Sequence, residues 1–355
     1  MDKSKAIYYI ENSFLASLFK DEEVTDISYN GESIFYVSNT LGRKKSTIEV
    51  EQQVVRDFLR QISNISEQQF SYTNPNLDVS IGKYRINATH QSVGKINNED
   101  VVTFSIRIAS EKPRITKDSD FFTPELVELI DVISNSEKSI VIGGVTSSGK
   151  TEFQKYIIRN FKENVRVVVI DNVLELDAVR GECDIDLTCW KVDEKNPYTN
   201  SSLLIKNALR NNPDWLIVAE ARDKEMVDVL NSAMTGIPII TTIHAFDVRS
   251  LPYRMGRLVL RGEQKLDYDE TLKDIYYHFH FYFYLAKKTI NGNIVRYISR
   301  VGYIDNKGDF YDIYSRKGNK HRYRRLPNSA LSLLELDNVS ELFKNTFIGG
   351  DQHEQ

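Results

Sequence analysis

The chain has little cysteine: Cys183 and Cys189, with five residues between them, are the only two. They form no C-x-x-C pair, so no zinc ribbon can be built from them. They read as free thiols in a reducing compartment. Long apolar runs are also missing. No stretch of about 18 apolar residues occurs, so no segment is fit to span a bilayer as a helix. Met1-Asp-Lys-Ser-Lys5 leads into mixed polar sequence, unlike a secretory leader. The expectation is a cytoplasmic protein, peripheral at the cytoplasmic face of the membrane if it meets one. An excess of one charge is absent as well. The 46 Lys and Arg against 50 Asp and Glu leave a formal −4, which makes no global case for nucleic acid. Eight Pro and 17 Gly exclude a low-complexity chain.

What is present supports real cores. Hydrophobic residues make up 41% of 355, a length that predicts two domains. The 19 Tyr and 17 Phe suggest an aromatic-rich β portion.

The most informative stretch runs from Ile140 to Thr151. An apolar strand-like run leads into Gly144-x-x-x-x-Gly149-Lys150-Thr151, and a helical segment follows from Glu152 to Asn160. Strand, glycine loop and helix are the context of a phosphate-binding loop. Gly144 and Gly149 let the backbone approach an anion closely. Ser147, Ser148 and the helix start offer N–H groups to it. Lys150 is placed to reach the β- and γ-phosphates of ATP, and Thr151 to hold Mg²⁺.

Before this loop, residues 1 to about 20 have helical spacing. Asp26–Tyr29 and Ile34–Val37 flank Asn30-Gly31, a hairpin marker. Val50–Ser66 reads as a helix, and Val79–Asn87 and Val101–Ile108 as strands. This makes an α+β domain over 1–110, with 111–122 as linker and 123–355 as the phosphate-loop domain. Thr123-Pro124-Glu125 has the chemistry of a helix start.

After the loop, strands and helices alternate, which predicts a parallel sheet. Val165–Ile170 delivers Asp171, with Glu175 four residues on. Trp215–Ala219 delivers Glu220, with Arg222 beyond it. Ile237–Ile243 delivers His244. Ligands in such sheets bind at the carboxyl ends of strands, so this repeated placement points to a site. Glu220 suits activation of water or the second sphere of Mg²⁺, Arg222 neutralisation of charge or a bridge to phosphate, and His244 a contact to the γ-phosphate.

From about Tyr277 a β-meander is expected, with turns at Asn291-Gly292 and Asn306-Lys-Gly308. His278 and His280 alternate onto one face, but no third ligand has a fitting spacing, so they read as part of a β-face. Arg316–Arg325 reads as a basic loop, and Leu331–Phe347 as one amphipathic helix.

The motif set resembles the type II/type IV secretion-system ATPases, the traffic motors of conjugation, secretion and type IV pili. The loop Gly144–Thr151 resembles their Walker A box and Val169–Leu176 their Asp box. Leu216–Arg222 resembles Walker B, and Ile240–Ala245 the His box, with Arg249 and Arg254 downstream. Ile27–Gly31, Arg85–Ala88 and Phe104–Arg107 resemble N-terminal strands. The resemblance implies a RecA-like domain after a smaller α+β domain, ATP and Mg²⁺ as ligands, and a homo-oligomer, expected as a hexamer, serving membrane proteins of a secretion or pilus machine. It also implies that Arg85 and Arg107 reach the nucleotide. Asp171-Asn172 stands where the family has Glu-Asp, so either Asp171 or Glu175 can be the catalytic carboxylate. Ala219 replaces a glycine and Asn212 an arginine. The chain resembles most the conjugative and tight-adherence-pilus branch. Two other functions fit the residues: a nucleic-acid translocase using Arg316–Arg325, and a nucleotide-gated scaffold with little hydrolysis.

Overall fold

The structure, a computed structural model, describes residues 3–110, 112–117, 119–194, 196–262 and 266–349. It divides into two compact units, Met1–Lys112 with Thr289–Val295, and Pro113–Lys288 with Arg296–Gln355.

The first unit is α+β. Its helices are α1 (Lys3–Glu11), α2 (Ala16–Phe19) and α3 (Gln52–Ile65), so the amino-terminal helical stretch is two short pieces, not one helix. Its main strands are β1 (Val24–Tyr29), β2 (Ile34–Ser38), β3 (Gly42–Lys45), β4 (Asn76–Ile81) and β5 (Tyr84–Thr89); β6 (Lys95–Ile96) and β7 (Glu99–Asp100) form a small pair, and β8 (Thr103–Ile108) follows. The six-stranded sheet runs β3-β2-β1-β8-β5-β4. Asn30-Gly31 does link an antiparallel hairpin, β1 and β2. The run Val79–Asn87 is not one strand. Gly82, at φ +58°, turns it into the β4–β5 hairpin. Val55, Phe58, Leu59 and Ile62 of α3 pack with Ile27, Ile86 and Ile106 of the sheet in one buried core.

The second unit opens with α4 (Pro124–Asn135), whose start is capped by Thr123 accepting from the Leu126 N–H. Then come β9 (Ile140–Gly144), α5 (Lys150–Arg159), β10 (Arg166–Asp171), β11 (Asp186–Lys191), α6 (Ser201–Ala208), β12 (Trp215–Val218), α7 (Met226–Met234) and β13 (Ile239–Ile243). After these follow α8 (Leu251–Val259), α9 (Tyr268–His278), β14 (Phe281–Ile290), β15 (Asn293–Ile304), β16 (Phe310–Lys317), β17 (Lys320–Tyr323), α10 (Asn328–Leu331) and α11 (Glu341–Phe343). The sheet order is β11-β10-β12-β13-β9-β14-β15-β16-β17. The strands from β11 to β14 pair in parallel, and β15–β16–β17 pair antiparallel. Both faces of the parallel part are buried, as its near-continuous apolar runs require. Ile140, Ile142, Val167, Val169 and Ile217 face one core. Val141, Val168, Ile170, Leu216 and Val218 face the other.

Three further expectations are corrected by the second unit. His278 ends α9 instead of sharing a strand face with His280. His280 is buried, with Nδ1 3.0 Å from the Ile304 carbonyl and its ring stacked on Tyr303. The basic stretch is no loop: Arg316 and Lys317 pair with His321 and Lys320 in a hairpin turned at Gly318. Leu331–Phe347 is not one helix. It is broken between α10, α11 and a wide final turn, Lys344–Ile348, because Phe343 and Phe347 are drawn into the core. No helix among the described residues is long and apolar enough to cross a membrane.

Candidate active site

Parallel pairing brings the carboxyl ends of adjacent strands together, and here four neighbours each end in polar groups. β10 ends at Asp171, β12 leads to Glu220, β13 to His244 and β9 to the loop before α5.

The loop is tightly closed. A Cβ on Gly144 would lie 2.5 Å from Ser148 Oγ and 2.7 Å from the Leu285 carbonyl oxygen. Gly149, at φ +97°, caps α5 from the left-handed region. Ser147 is also at positive φ, +59°, which is uncommon without glycine. The Ser148 N–H donates to the Val145 carbonyl at 3.2 Å. Its side chain is buried and turned toward Gly144, not outward. The Lys150 ammonium donates to the carbonyls of Gly144 and Val145, each at 3.2 Å. The charge is thus held against the loop. From β15, Arg296 Nε donates to the Ser147 carbonyl at 2.9 Å.

A chain of charged and polar groups runs from this lysine. Lys150 Nζ lies 3.4 Å from His244 Nδ1. His244 Nε2 lies 3.0 Å from Glu220 Oε1, without the alignment of a hydrogen bond, so that oxygen keeps accepting capacity. Glu220 Oε2 accepts from Arg222 at 2.6 Å. Burial alone would raise the pKa of Glu220, but the hydrogen bond and charge of Arg222, with His244 and Lys150, hold it below the ordinary value. Glu220 is therefore ionised at neutral pH. Burial and the Lys150 charge push His244 down, against the pull of Glu220, so the ring is neutral at pH 7. The Glu220 bond raises Arg222.

The segment carrying His244 is held by β14 and β15. Tyr284 donates its hydroxyl to the Ala245 carbonyl at 3.2 Å. Arg300 bridges Asp247 at 3.2 Å and Asp312 at 3.3 Å. Arg249 pairs with Asp312 at 3.0 Å and lies over the Phe310 ring. Thr242 Oγ donates to the Ala219 carbonyl at 2.8 Å, tying β13 to the start of the Glu220 segment.

The two Asp-box candidates differ in placement. Asp171 is buried, and its oxygens accept from the N–H groups of Val173 at 3.1 Å and Leu176 at 3.3 Å. It fastens the segment that carries Glu175. Glu175 is half-buried and opens a short 3₁₀ turn, Glu175–Val179. Thr151 lies one residue into α5 and is half-buried. Arg85 and Arg107 are placed in the first unit. They oppose each other across β5 and β8, and pair with Asp78 at 3.3 Å and Asp26 at 3.4 Å. Cys183 and Cys189 are free thiols. Burial pushes Cys183 up and Cys189 up to about 12, so both thiols stay protonated at neutral pH.

Arg296, Arg300 and Tyr284 are absent from every motif read in the sequence. Nothing marks them there, because an arginine or tyrosine in an alternating strand is ordinary. Their roles come from the strand order that sets β14 beside β9 and β15 next to β14.

The groups present fit a nucleoside triphosphate. A glycine-bounded loop, a helix start and a lysine converge, and a Cβ at Gly144 would fill the loop's closure. Mg²⁺ takes oxygen ligands, and the Thr151 hydroxyl at the start of α5 offers one. No group of three or more His, Cys, Asp or Glu able to hold a metal occurs among the described residues.

The sequence profile of the type II/IV secretion system protein family matches residues 75–272, more than half of the chain. An uncharacterised protein of Bacillus anthracis is 26% identical over 300 residues, 80% of this chain and 66% of that one. The competence protein ComGA of Bacillus subtilis is 28% identical over 185 residues, 51% of this chain and 49% of its own. The type IV secretion system protein VirB11 of Brucella suis is 27% identical over 175 residues, 48% of each. The matches thus span 66%, 49% and 48% of those relatives' lengths. Among solved structures, the ATPase DotB of Legionella pneumophila superposes with TM-score 0.62 at 21% identity, over 82% of this chain and 79% of that one. The pilus retraction motor PilT with bound ADP superposes with TM-score 0.55 at 15% identity, over 80% of this chain and 81% of its own. At such identities the likeness concerns the fold.

Proposed function

Because the chain belongs to the type II/IV secretion system protein family, we propose that it is a ring-forming ATPase whose turnover drives assembly of, or transport through, a secretion, conjugation or pilus-type membrane machine. The observation that carries this reading is the chain Lys150–His244–Glu220–Arg222, with successive separations of 3.4, 3.0 and 2.6 Å. It starts at a phosphate loop and ends at an ionised carboxylate beside an arginine.

Bound Mg-ATP supplies a γ-phosphoryl group and a counter-ion for its charge. Lys150 offsets phosphate charge, and Thr151 supplies a hydroxyl to the ion. Glu220 orients water and takes its proton, and its lowered pKa keeps the carboxylate ready. Arg222 fixes one oxygen of Glu220 and leaves the other to accept. Neutral His244 stands between Lys150 and Glu220, where a phosphate-dependent change at one is felt by the other. Asp171 fastens the segment that presents Glu175, and we assign Glu175 as the second carboxylate. Arg85 and Arg107 are the first unit's candidate cations for the phosphates. A hexamer at the cytoplasmic face of a membrane is the assembly this reading expects.

The test is phosphate release from ATP by the full chain with and without Mg²⁺. Release that needs Mg²⁺ and vanishes in Lys150→Ala supports the reading. Tight ATP binding with no release would make the protein a nucleotide-gated scaffold instead.

A further inference from the structure

Arg296 lies on β15, outside every motif of the site. Its Nε nevertheless donates to the Ser147 carbonyl at 2.9 Å. Its stem also borders the loop further on, since a Cβ on Gly149 would meet Arg296 Cδ at 3.8 Å. One side chain therefore bonds the loop just before Ser148 and lies near it just after.

The peptide between Ser147 and Ser148 is planar and trans, so its C=O and N–H point in opposite directions. With the oxygen drawn toward Arg296, the Ser148 N–H turns the other way, where it reaches the Val145 carbonyl at 3.2 Å. Successive N–H groups turned into one concavity make an anion site. A flip of this peptide would put a carbonyl oxygen there instead and repel phosphate. Ser147, at φ +59°, occupies a backbone region that is uncommon without glycine, and the Arg296 bond to its carbonyl adds to the loop's own bonds in holding this form.

We propose that Arg296 is a positioning residue of the nucleotide site, one that holds the 147–148 peptide in the orientation that accepts a nucleoside polyphosphate. This rests on the reading of the loop as a nucleotide site. Arg296 acts through the loop and not on the terminal phosphate, so it serves diphosphate and triphosphate alike.

The experiment is calorimetric titration of the full chain with Mg-ADP and with a non-hydrolysable Mg-ATP analogue. Arg296→Met keeps the stem and removes the donor. The expected result is a loss of about tenfold in affinity, equal for the two nucleotides, with unchanged melting in their absence. The factor of ten corresponds to about 1.4 kcal/mol. Wild-type affinity in Arg296→Met overturns the proposal. A loss confined to the triphosphate analogue also overturns it, since that marks direct contact with the γ-phosphate. If Arg296→Met unfolds, Arg296→Lys carries the test: a smaller, equal loss is expected, and wild-type affinity overturns it. A wild-type chain that binds neither nucleotide, or a Lys150→Ala variant that binds both normally, defeats the nucleotide-site reading itself. Binding that fails in Lys150→Ala while Arg296→Met stays normal defeats only the role of Arg296.

Discussion

Replacing Glu220 by Gln separates binding from chemistry. The carboxylate is partly buried, with side-chain exposure of 22%, and its partner Arg222 is 57% exposed. An ion pair with one exposed member contributes about 1 kcal/mol or less to stability. The Gln carbonyl still accepts from Arg222, so the fold is expected to survive with little change in melting. The catalytic cost is larger. A general base contributes on the order of 10²–10⁴ in rate, about 3 to 5 kcal/mol of barrier. Nucleotide affinity is expected to hold or improve, because one negative charge near the phosphates is gone. The assay is steady-state phosphate release, with equilibrium binding of ATP measured on the same preparation. In wild type the sign with pH follows from the lowered pKa of Glu220. The unfolded chain binds more protons than the folded one between the folded value and the ordinary 4.5, so stability from this group falls as pH drops through that window. Turnover likewise keeps Glu220 ionised at all pH values above it. A Glu220→Gln variant with more than about a tenth of wild-type turnover would refute the assignment of Glu220 as base.

Binding of ATP is expected to take up protons near pH 6.5, because phosphate offsets the Lys150 charge that helps hold His244 below 6.5. Binding enthalpy would vary with the buffer's ionisation enthalpy, and His244→Asn would remove that variation; a variant that keeps it refutes the role of His244. Without nucleotide, the His244 contribution to stability is lost as pH falls below 6.5, where the unfolded chain binds more protons. Gly144→Ala places a Cβ 2.7 Å from the Leu285 carbonyl oxygen. It is expected to cost about 1–3 kcal/mol in denaturant titration and to weaken ATP, and a neutral effect on both contradicts the loop geometry. Asp171→Asn removes a charge-assisted acceptor for the Val173 and Leu176 N–H groups. It is expected to cost about 1–3 kcal/mol and to speed amide exchange at those positions; unchanged exchange would show that Asp171 does not fasten the segment.

Much of the site was legible because it is written in local patterns. Gly144 to Thr151 follows an apolar strand, and Glu220 and His244 each follow another, so the parallel sheet and its carboxyl edge could be read directly. What escaped depends on distant chain segments. β11 has a half-buried edge pattern, and β17 carries Lys320 and Arg322, charges that suit an exposed edge but read as loop. Gly82 split one expected strand into two, since a single turn residue weighs little against apolar alternation. The carboxyl-terminal segment looked helical because Leu331 and Leu334, and then Phe343 and Phe347, recur at helical spacing. Packing of those side chains onto α4 and the sheet breaks the helix instead. Asp171 was readable as a strand-end carboxylate, but its commitment to backbone N–H groups was not. Arg296 was invisible for the same reason: its partner, Ser147, lies far away in sequence.

The most direct test of the account is ATP turnover measured together with sedimentation, for the full wild-type chain and for Lys150→Ala, with Mg²⁺ present. The account predicts a ring that releases phosphate in the wild type, and no release in Lys150→Ala. A wild-type chain that stays monomeric at every concentration, with and without an ATP analogue, and releases no phosphate would contradict it.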